Sequence, residues 1–326
     1  MQFALWEWMV RGDGSASHEG KSGLAKLGWS LQDGKLKSSY GPYRARQLFN
    51  VAVNHEEGPI WTFERMGTTK TDLPDGRVVC VGGEHEDYYD PDFYIYNDVV
   101  VLGTEGEIEI YGYPKEVFPS TDFHTATLVD DELIVVGRLG HKGERRVGHT
   151  PVHRLDLSDY HIEEVPTEGE MPGWIFKHNA QLGSDGTILV EGGEVIRDCN
   201  GEELYRQNVE QYALDIQSGV WRQLTSRNWR QFRIRPADRK VFVLEDRPKP
   251  GNLLPTGLEH TVLQCDKWNG ARIAVKGVTV DLNVGIWDVR VLVEGELPAQ
   301  VVDVVVNEIC ARTEKAAQRS CSLDEL

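Results

Sequence analysis

The sequence predicts an all-β fold: a β-propeller of about five blades, within a range of four to six, that ends in a short C-terminal α-helix. Three observations predict it. β-branched segments end at Gly82, Gly137 and Gly192, and both intervals between these glycines are 55 residues. The polar turns before those segments all contain Asp, and two of the three also contain Gly, as hairpin turns do. Two more short strands follow in each repeat, and four strands in a repeat of about 50 residues are typical of a propeller blade.

The strands follow the same order in each repeat. A first strand ends at Leu73, Leu128 or Leu182, and after the turn a strand rich in Val and Ile continues to the glycine. Glycine suits this position because leaving a central strand abruptly requires a positive φ or close backbone approach. The predicted third strands begin at Asn97, Val152 and Val209, and the predicted fourth strands begin at Glu107, His161 and Trp221.

A degenerate fourth repeat is predicted next. Its strands are expected to begin near Phe232, His260 and Ala271, and Glu245-Asp246-Arg247 replaces the glycine doublet. With it, clear repeats span residues 61–276. A β-sandwich with fortuitous spacing is the alternative interpretation of the same strands.

The two ends of the chain complete the predicted organisation. Residues 1–60 contain two apolar stretches and are expected to supply another blade or part of one, so the propeller domain is predicted over residues 1–297. Pro298 suits the first turn of a helix. Residues 298–326 are therefore expected to form a Val-rich helix and a tail that frays after Arg319.

Composition excludes several classes of function. The chain has 35 Lys and Arg against 52 Asp and Glu, a net charge of −17, which disfavours binding to phosphate backbones or anionic lipids. No apolar run approaches the 18 residues of a transmembrane helix. The five cysteines are odd in number and widely spaced, so neither a disulfide framework nor a zinc ribbon is predicted. Without a recognisable signal peptide, we expect a cytoplasmic protein with reduced thiols that binds neither nucleic acid nor membranes.

The layout resembles the kelch repeat and, more loosely, galactose-oxidase-like propellers. The resemblance rests on the doublets Gly82-Gly83 and Gly192-Gly193, on His-x-Ala at His124 and His178, and on Trp221 at the end of its repeat. Segments 82–99 and 118–128 also look like a propeller module of bacterial proteins of unassigned function, some with ankyrin repeats. The kelch resemblance implies partner binding on one face. Galactose-oxidase-like relatives bind copper through His and Tyr, and some kelch-type plant proteins bind iron through carboxylates and His.

The candidate site is one rim of the propeller. In antiparallel blades, the connections between second and third strands emerge on the same face as the connections from one repeat to the next. The candidate ligand-binding residues on that rim are Glu84, His85, Glu86, Asp87, Tyr88, His124, Arg145, Arg146, His149 and His178. The basic segment 138–154 stands out against an acidic chain, and it follows the acidic segment 84–92 by one repeat.

Three interpretations of this rim compete. In the first, Arg145 and Arg146 pair with the carboxylates of segment 84–92 and make the rim rigid without a ligand. The rim is alternatively a docking face for a protein or peptide, since aromatic residues and Arg are enriched at binding hot spots. Finally, His85, His124, His149 and His178 with the nearby carboxylates are residue types suited to a metal-dependent or small-molecule-processing enzyme.

Our leading hypothesis is the non-catalytic interaction module, with the enzyme as the alternative. His124 and His178 occupy equivalent positions in their repeats, which favours a structural hydrogen-bonding role over metal ligation. No catalytic residue is assigned. The sequence leaves open the cofactor and metal content, the partner's identity and the oligomeric state.

Overall fold

The computed structural model describes residues 63, 65–87, 90–199, 201–243 and 247–326. The chain divides into two compact units, residues 1–224 (unit 1) and 225–326 (unit 2). The described parts of both are built mainly from β-strands, which confirms the predicted β-rich class. The further blade expected from residues 1–60 lies outside the described residues.

Unit 1 contains three successive antiparallel sheets in which four strands follow one another in chain order. The strands of sheet 1 are β1 (Thr69–Asp72), β2 (Val78–Val81), β5 (Asp98–Leu102) and β6 (Ile108–Gly112). The strands of sheet 2 are β7 (Thr125–Val129), β8 (Glu132–Val136), β9 (Val152–Asp156) and β10 (Ile162–Glu164). The strands of sheet 3 are β13 (Asn179–Leu182), β14 (Thr187–Glu191), β17 (Gln211–Asp215) and β18 (Val220–Gln223), with β11 (Glu168–Gly169) parallel to β18.

These sheets confirm the predicted strands of the first three repeats. The residues that the structure describes contain three such sheets and no closed ring of them, so a count of about five blades remains a prediction.

Sheet 2 is buried on both faces. Successive residues of a strand point to opposite faces. Accordingly, Leu133 and Val135 of β8 pack in one core with Val79 and Val81 of sheet 1. Ile134 and Val136 pack in a second core with residues of sheet 3. The uninterrupted apolar run of β8 is thereby explained, because neither face of the strand meets water.

In two of the three repeats, the glycine that ends the second strand packs against backbone that leads into the next sheet. Gly82 has φ +52°, and a Cβ built on it would lie 2.2 Å from the carbonyl oxygen of Thr121. Gly137 has φ +69°, and a Cβ there would lie 2.4 Å from the carbonyl oxygen of Ile175. At Gly82 and Gly137 the repeat therefore marks points where backbone approaches too closely for any side chain. Gly192 differs, because a Cβ built there would lie 3.9 Å from the Asn179 side chain, an ordinary contact, and its positive φ of +67° is what favours glycine.

The connection between the second and third strands of each sheet carries an insertion. In sheet 1 it is a hairpin of β3 (Glu84–Asp87) and β4 (Asp90–Ile95). In sheet 2 it is a loop with a single 3-10 turn at Lys142–Glu144. In sheet 3 it is a hairpin of β15 (Glu194–Cys199) and β16 (Glu202–Gln207), joined by β12 (Trp174–Phe176) into a three-stranded sheet.

Unit 2 is a six-stranded antiparallel sheet with its own core. Its strand order is β20-β21-β22-β23-β19-β24, and a 19-residue helix, α2, packs on it. The strands are β19 (Trp229–Pro236), β20 (Thr261–Cys265), β21 (Gly270–Val275), β22 (Val278–Val284), β23 (Val289–Glu294) and β24 (Cys321–Glu325). The helices are α1 (Pro250–Leu253) and α2 (Ala299–Ala317).

Two expectations about this region need correction. The predicted fourth repeat does not form a four-stranded sheet of its own: Phe232, in β19, pairs directly with Val291 of β23. The tail after Arg319 is not frayed, because β24 pairs along β19 and seats Leu323 opposite Ile234. Long-range pairing of this kind depends on partners distant in sequence, so local strand patterns do not reveal it.

The helix that opens at Pro298 is confirmed. Val302, Val305, Val306 and Ile309 lie on one side of α2 and are buried in the unit 2 core. The boundary predicted between residues 297 and 298 thus falls inside unit 2. Within the described residues, no helix has the length and apolar character to cross a membrane.

Candidate functional site

The three insertions of unit 1 touch one another and form one surface, here called the insertion rim: Phe93 of β4, residues 139–149 and the β15–β16 hairpin. The Phe93 ring meets the His141 ring edge-on at 6.0 Å between centroids. The indole N–H of Trp174 donates to the Leu139 carbonyl at 3.0 Å, and Trp174 pairs with Ile196 in β15.

Arg145 ties the loop of sheet 2 to the hairpin of sheet 3. Its Nη1 donates to Glu203 Oε2 at 2.8 Å and to the Tyr205 hydroxyl at 2.7 Å. The same guanidinium donates to the carbonyls of Leu139 and Gly140 at 3.0 and 2.8 Å. The Arg145 side chain is only 7% exposed. It therefore organises the loop from inside and is not available as a free surface cation.

A second buried cluster lies at the base of the loop. Arg138 donates to the Ser120 carbonyl at 2.6 Å and lies 3.5 Å from Glu144. Asp122, fully buried, accepts from the Gly140 amide at 2.7 Å. Burial raises the pKa of Asp122, although that amide and the nearby Arg138 oppose the rise. Two of the five Lys and Arg side chains of the basic segment, Arg138 and Arg145, thus hold the loop in place.

Arg146 and His149 meet at a different carboxylate. Arg146 donates to Glu164 Oε1 at 2.5 Å, and His149 Nε2 lies 3.7 Å from the same oxygen. Burial lowers the pKa of His149, and the neighbouring Arg146 lowers it further, while Glu164 acts in the opposite direction. Arg146 itself is 61% exposed. Of the candidate residues in this loop, Arg146 is the one whose charge faces solvent.

His124 and His178 are structural hydrogen bonders. The ring nitrogen Nε2 of His124 lies 2.9 Å from the Thr69 hydroxyl of β1, and Nε2 of His178 lies 2.9 Å from the Thr125 hydroxyl of β7. Each bond joins the first strand of one sheet to the residue before the first strand of the next. Burial lowers the pKa of His124 to about 3 and that of His178 to about 4, so both rings are neutral near pH 7.

The acidic segment contributes less than expected to the described site. Glu84 is buried, and its backbone pairs with that of Met66. His85 is half-buried and lies opposite Tyr94 in the β3–β4 hairpin. Glu86 and Asp87 continue β3, while Tyr88 lies outside the described residues.

Among the described side chains, the loop arginines pair with carboxylates outside segment 84–92. Arg145 binds Glu203 and Arg146 binds Glu164, both of which belong to neighbouring sheet elements. The insertions of sheets 2 and 3 lie next to each other on the rim, and Arg145 therefore meets residues of the sheet 3 insertion. The order of the residues in the sequence does not specify toward which neighbouring insertion the loop folds.

The geometry of these residues does not fit the copper or iron site that the family resemblance implied. Across the portion of the chain that is described, no three His, Cys, Asp or Glu side chains are grouped so that they could hold a metal ion. The Nε2 atoms of His124 and His178 are engaged by threonine hydroxyls in separate places.

What the insertion rim presents to solvent is mixed apolar and charged surface. Phe93 is 47% exposed and Val147 is 40% exposed. Lys142, Arg146 and Gly143 are exposed around them. Large apolar side chains beside cations, on a segment fixed from below, are features of interfaces.

Sequence reasoning missed the residues that build this rim. Glu203 and Tyr205 lie on β16, and Glu164 ends β10. One signal was available: Asn200-Gly201 between two polar, β-branched stretches is a strong hairpin-turn dipeptide. It would have predicted the β15–β16 hairpin, though not its ion pair with Arg145.

Comparison with known proteins yields only distant likenesses. No protein-family model matches the chain, and no curated protein matches it. Among solved structures, a fungal alcohol oxidase of the AA5 family in complex with copper is 11% identical, with a TM-score of 0.31. That match covers 80% of this chain and 51% of the oxidase, so the chain spans about half of that protein's length.

A second solved structure is MPT-4, a mannose phosphorylase from Leishmania mexicana in complex with phosphate ion. It is 10% identical, with a TM-score of 0.32, over 73% of this chain and 69% of that chain. Likenesses at this level assign no activity to the chain.

Proposed function

We propose that unit 1 is a non-catalytic, kelch-like propeller module that binds a protein or peptide through the insertion rim. The observation that supports this most is the buried Arg145. It fixes two insertions in one geometry through Glu203 and Tyr205, while Phe93 and Val147 above remain exposed. A surface held in place before binding loses little conformational entropy when a partner docks.

The charge of unit 1 supports a polypeptide partner over a nucleic acid. Residues 1–224 carry 20 Lys and Arg against 38 Asp and Glu. Two of the arginines in the basic segment, Arg138 and Arg145, are buried in internal bonds. The exposed cations that this segment leaves, Lys142 and Arg146, are too few to neutralise a phosphate backbone. They suffice to orient an acidic group beside an apolar anchor.

The test uses peptides selected from a random displayed library on the full chain, with binding then measured on variants. Phe93→Ser and Lys142→Glu alter the rim. Leu182→Ser and Arg222→Glu are matched controls, since they remove a similarly exposed apolar side chain and reverse a similarly exposed charge on sheet 3.

We expect the selected peptides to bind the rim variants at least about tenfold more weakly than the controls, because rim residues that anchor a partner contribute 1–2 kcal/mol or more. Equal binding to all four variants, or weaker binding to the controls alone, would contradict the proposal. A failure of the rim variants to fold is detected by their thermal transitions, which should match those of the controls.

A further inference from the structure

The strand β24 carries Cys321 on the face of the unit 2 sheet that α2 covers. Leu323 lies opposite Ile234, which is fully buried in the unit 2 core together with residues of α2. Residues two apart in a strand point to the same face, so Cys321 lies on that face too, opposite Pro236. Both Cys321 and Leu323 pack against the unit 2 core. The Cys321 side chain is therefore directed toward the layer that α2 occupies.

Cys310 lies on the side of α2 that faces β24. The helix packs against this strand, and Cys310 packs against the same core as Cys321. Glu314 follows Cys310 by one helical turn, so both lie on the same side of the helix. Glu314 Oε1 accepts from the Cys321 amide at 2.9 Å. That bond brings the backbone of Cys321 beside the side of α2 on which Cys310 lies.

The two thiols also interact electrostatically. Burial is the largest cause of the raised pKa of each thiol. Cys310 raises the pKa of Cys321 further, and the Glu314 carboxylate raises the pKa of both. Interactions between charges weaken with distance. The mutual effect therefore agrees with the placement of Cys310 and Cys321 on facing elements.

The turn between α2 and β24 keeps these two elements in place. Gln318 follows the helix with a φ of +52°. The Arg319 side chain then donates to the Val241 carbonyl at 3.0 Å, and the Ser320 carbonyl accepts from the Ala237 amide at 2.9 Å. Because the turn is fixed on both sides, the two thiols are held as neighbours without a covalent bond between them.

From these observations we propose that Cys310 and Cys321 are a redox-sensitive pair, which forms a disulfide when a small-molecule disulfide is present as oxidant. The bond fastens β24 to α2. Both cysteines are free thiols in the structure. The pair lies in unit 2 and is separate from the insertion rim.

Oxidised glutathione is a sufficient oxidant for this step. The thiolate of one cysteine attacks its disulfide, forms a mixed disulfide and releases one molecule of glutathione. The thiolate of the other cysteine then attacks the protein sulfur and releases the second molecule. The protein loses two electrons and two thiol protons, and one glutathione disulfide gains them to become two thiols.

A disulfide at this place restricts one edge of the sheet. Among the described strands, β19 is the single partner of β24. A terminal strand paired on one side opens more easily than a central strand. The apolar side of α2 is buried in the unit 2 core, so a covalent link to the helix opposes that opening.

Mass analysis of the full chain after treatment with oxidised glutathione tests for the bond. We expect the loss of two hydrogen atoms and a proteolytic peptide in which Cys310 is linked to Cys321. Cys310→Ser and Cys321→Ser should each abolish that peptide. Cys265→Ser is the matched control, because Cys265 is an exposed cysteine of the same unit, and it should leave the peptide unchanged.

Two outcomes would overturn the proposal. One is stable glutathione adducts on both cysteines, or no reaction of either, after prolonged treatment at pH 9. The other is an internal disulfide that forms equally well in Cys321→Ser, because the bond then lies elsewhere.

The pH dependence of the reaction tests whether these thiols carry it out. Burial raises the pKa of Cys321 to about 11 and also raises that of Cys310, so their thiolates are scarce at pH 7. The rate of bond formation should rise about tenfold per pH unit between pH 7 and pH 9. An equal rate at both pH values would contradict attack by these buried thiols.

Amide hydrogen exchange tests the effect of the bond on the strand. Residues 321–325 should exchange at least about tenfold more slowly in the oxidised chain than in the reduced chain, because β24 then opens less often. Residues 261–265, in the edge strand β20, are an internal control and should not change. Unchanged exchange of residues 321–325 in a fully oxidised sample would contradict the fastening of β24 to α2.

Discussion

At the scale of single residues, the packing of one sheet on the next in unit 1 depends on a few hydrogen-bonding side chains and on glycines. Gly82 and Gly137 permit close approach between sheets, while His124 and His178 bond to threonines of the preceding sheet. These residues recur with the repeat because each performs the same packing role at successive contacts between sheets.

Gly137 combines a positive φ with close approach of backbone, and each should make a substitution destabilising. Comparison with another glycine separates the two effects. Gly186 has φ +82°, but among the described atoms a Cβ built there would meet nothing within 4 Å. Gly186→Ala should lower the free energy of unfolding by about 1 kcal/mol, the cost of the left-handed conformation alone. Gly137→Ala adds a clash with the Ile175 carbonyl and should cost about 2–4 kcal/mol. Urea denaturation measures both, and equal losses would show that close approach is unimportant.

The buried histidines predict how stability depends on pH. His178 has a folded pKa of about 4, below the value of about 6.5 in the unfolded chain. The unfolded state therefore takes up a proton that the folded state refuses, and stability is lost as the pH falls below about 6.5. Between pH 6 and pH 4.5 the loss from this residue is about 1 kcal/mol per pH unit.

The variant His178→Gln should remove that contribution. Denaturation at several pH values should show a shallower dependence than in the parent protein, while His161→Gln, at an exposed position, should leave the dependence unchanged. An identical pH dependence in all three proteins would contradict burial of a neutral His178.

At the scale of elements, the stability of the insertion rim depends mainly on one buried ion pair, between Arg145 and Glu203. The number of charged residues nearby matters less. Arg145 and Arg146 are adjacent in sequence, yet the first is 7% exposed and the second 61%. Loss of a buried partner leaves an uncompensated charge at Glu203, whereas an exposed pair contributes about 0–1 kcal/mol.

Replacing these neighbours by the same residue tests that difference. Arg145→Met should lower the free energy of unfolding by about 3 kcal/mol and speed amide exchange in residues 139–149. Arg146→Met should change stability by less than about 1 kcal/mol. Equal effects of the two substitutions would show that Arg145 does not organise the rim.

The sequence was most informative where structure is set locally. The hairpins β1–β2, β7–β8 and β13–β14 follow from an Asp-containing turn beside Val and Ile, and all three are present. The helix α2 follows from Pro298 and the Val spacing. The β19–β24 pairing brings together residues about 90 positions apart, and no local pattern encodes such a partner.

The site was predicted less well than the fold for the same reason. The basic segment 138–154 was predicted from sequence to contribute to the site, but the partners of its arginines Arg145 and Arg146, Glu203 and Glu164, come from other insertions and strands. His124 and His178 were also named as candidate ligand-binding residues, and their recurrence with the repeat favoured the hydrogen bonds to threonines that the structure contains.

At the scale of the whole molecule, the two units differ in net charge, and unit 2 has an apolar core of its own. Residues 225–326 carry 15 Lys and Arg against 14 Asp and Glu, so all of the excess negative charge belongs to residues 1–224. Unit 2 buries its own apolar cluster, in which residues such as Phe232, Ile273 and Val305 come from different elements of that unit.

Because its sheet and core are made within the unit, residues 225–326 should fold when expressed alone. We expect a cooperative urea transition and the near-ultraviolet circular dichroism of packed aromatic side chains. A non-cooperative transition would contradict a self-contained core. Ile309→Ala in that fragment should lower stability by about 2–5 kcal/mol, as large-to-small changes at buried positions do.

Amide hydrogen exchange of the full chain, with and without a selected peptide, tests the proposed function most directly. Binding at the insertion rim predicts slower exchange in residues 139–149 and 202–207, with turns such as 74–76 and 184–186 unchanged. Slower exchange confined to those turns or to unit 2, with the rim unchanged, would contradict binding through the insertion rim.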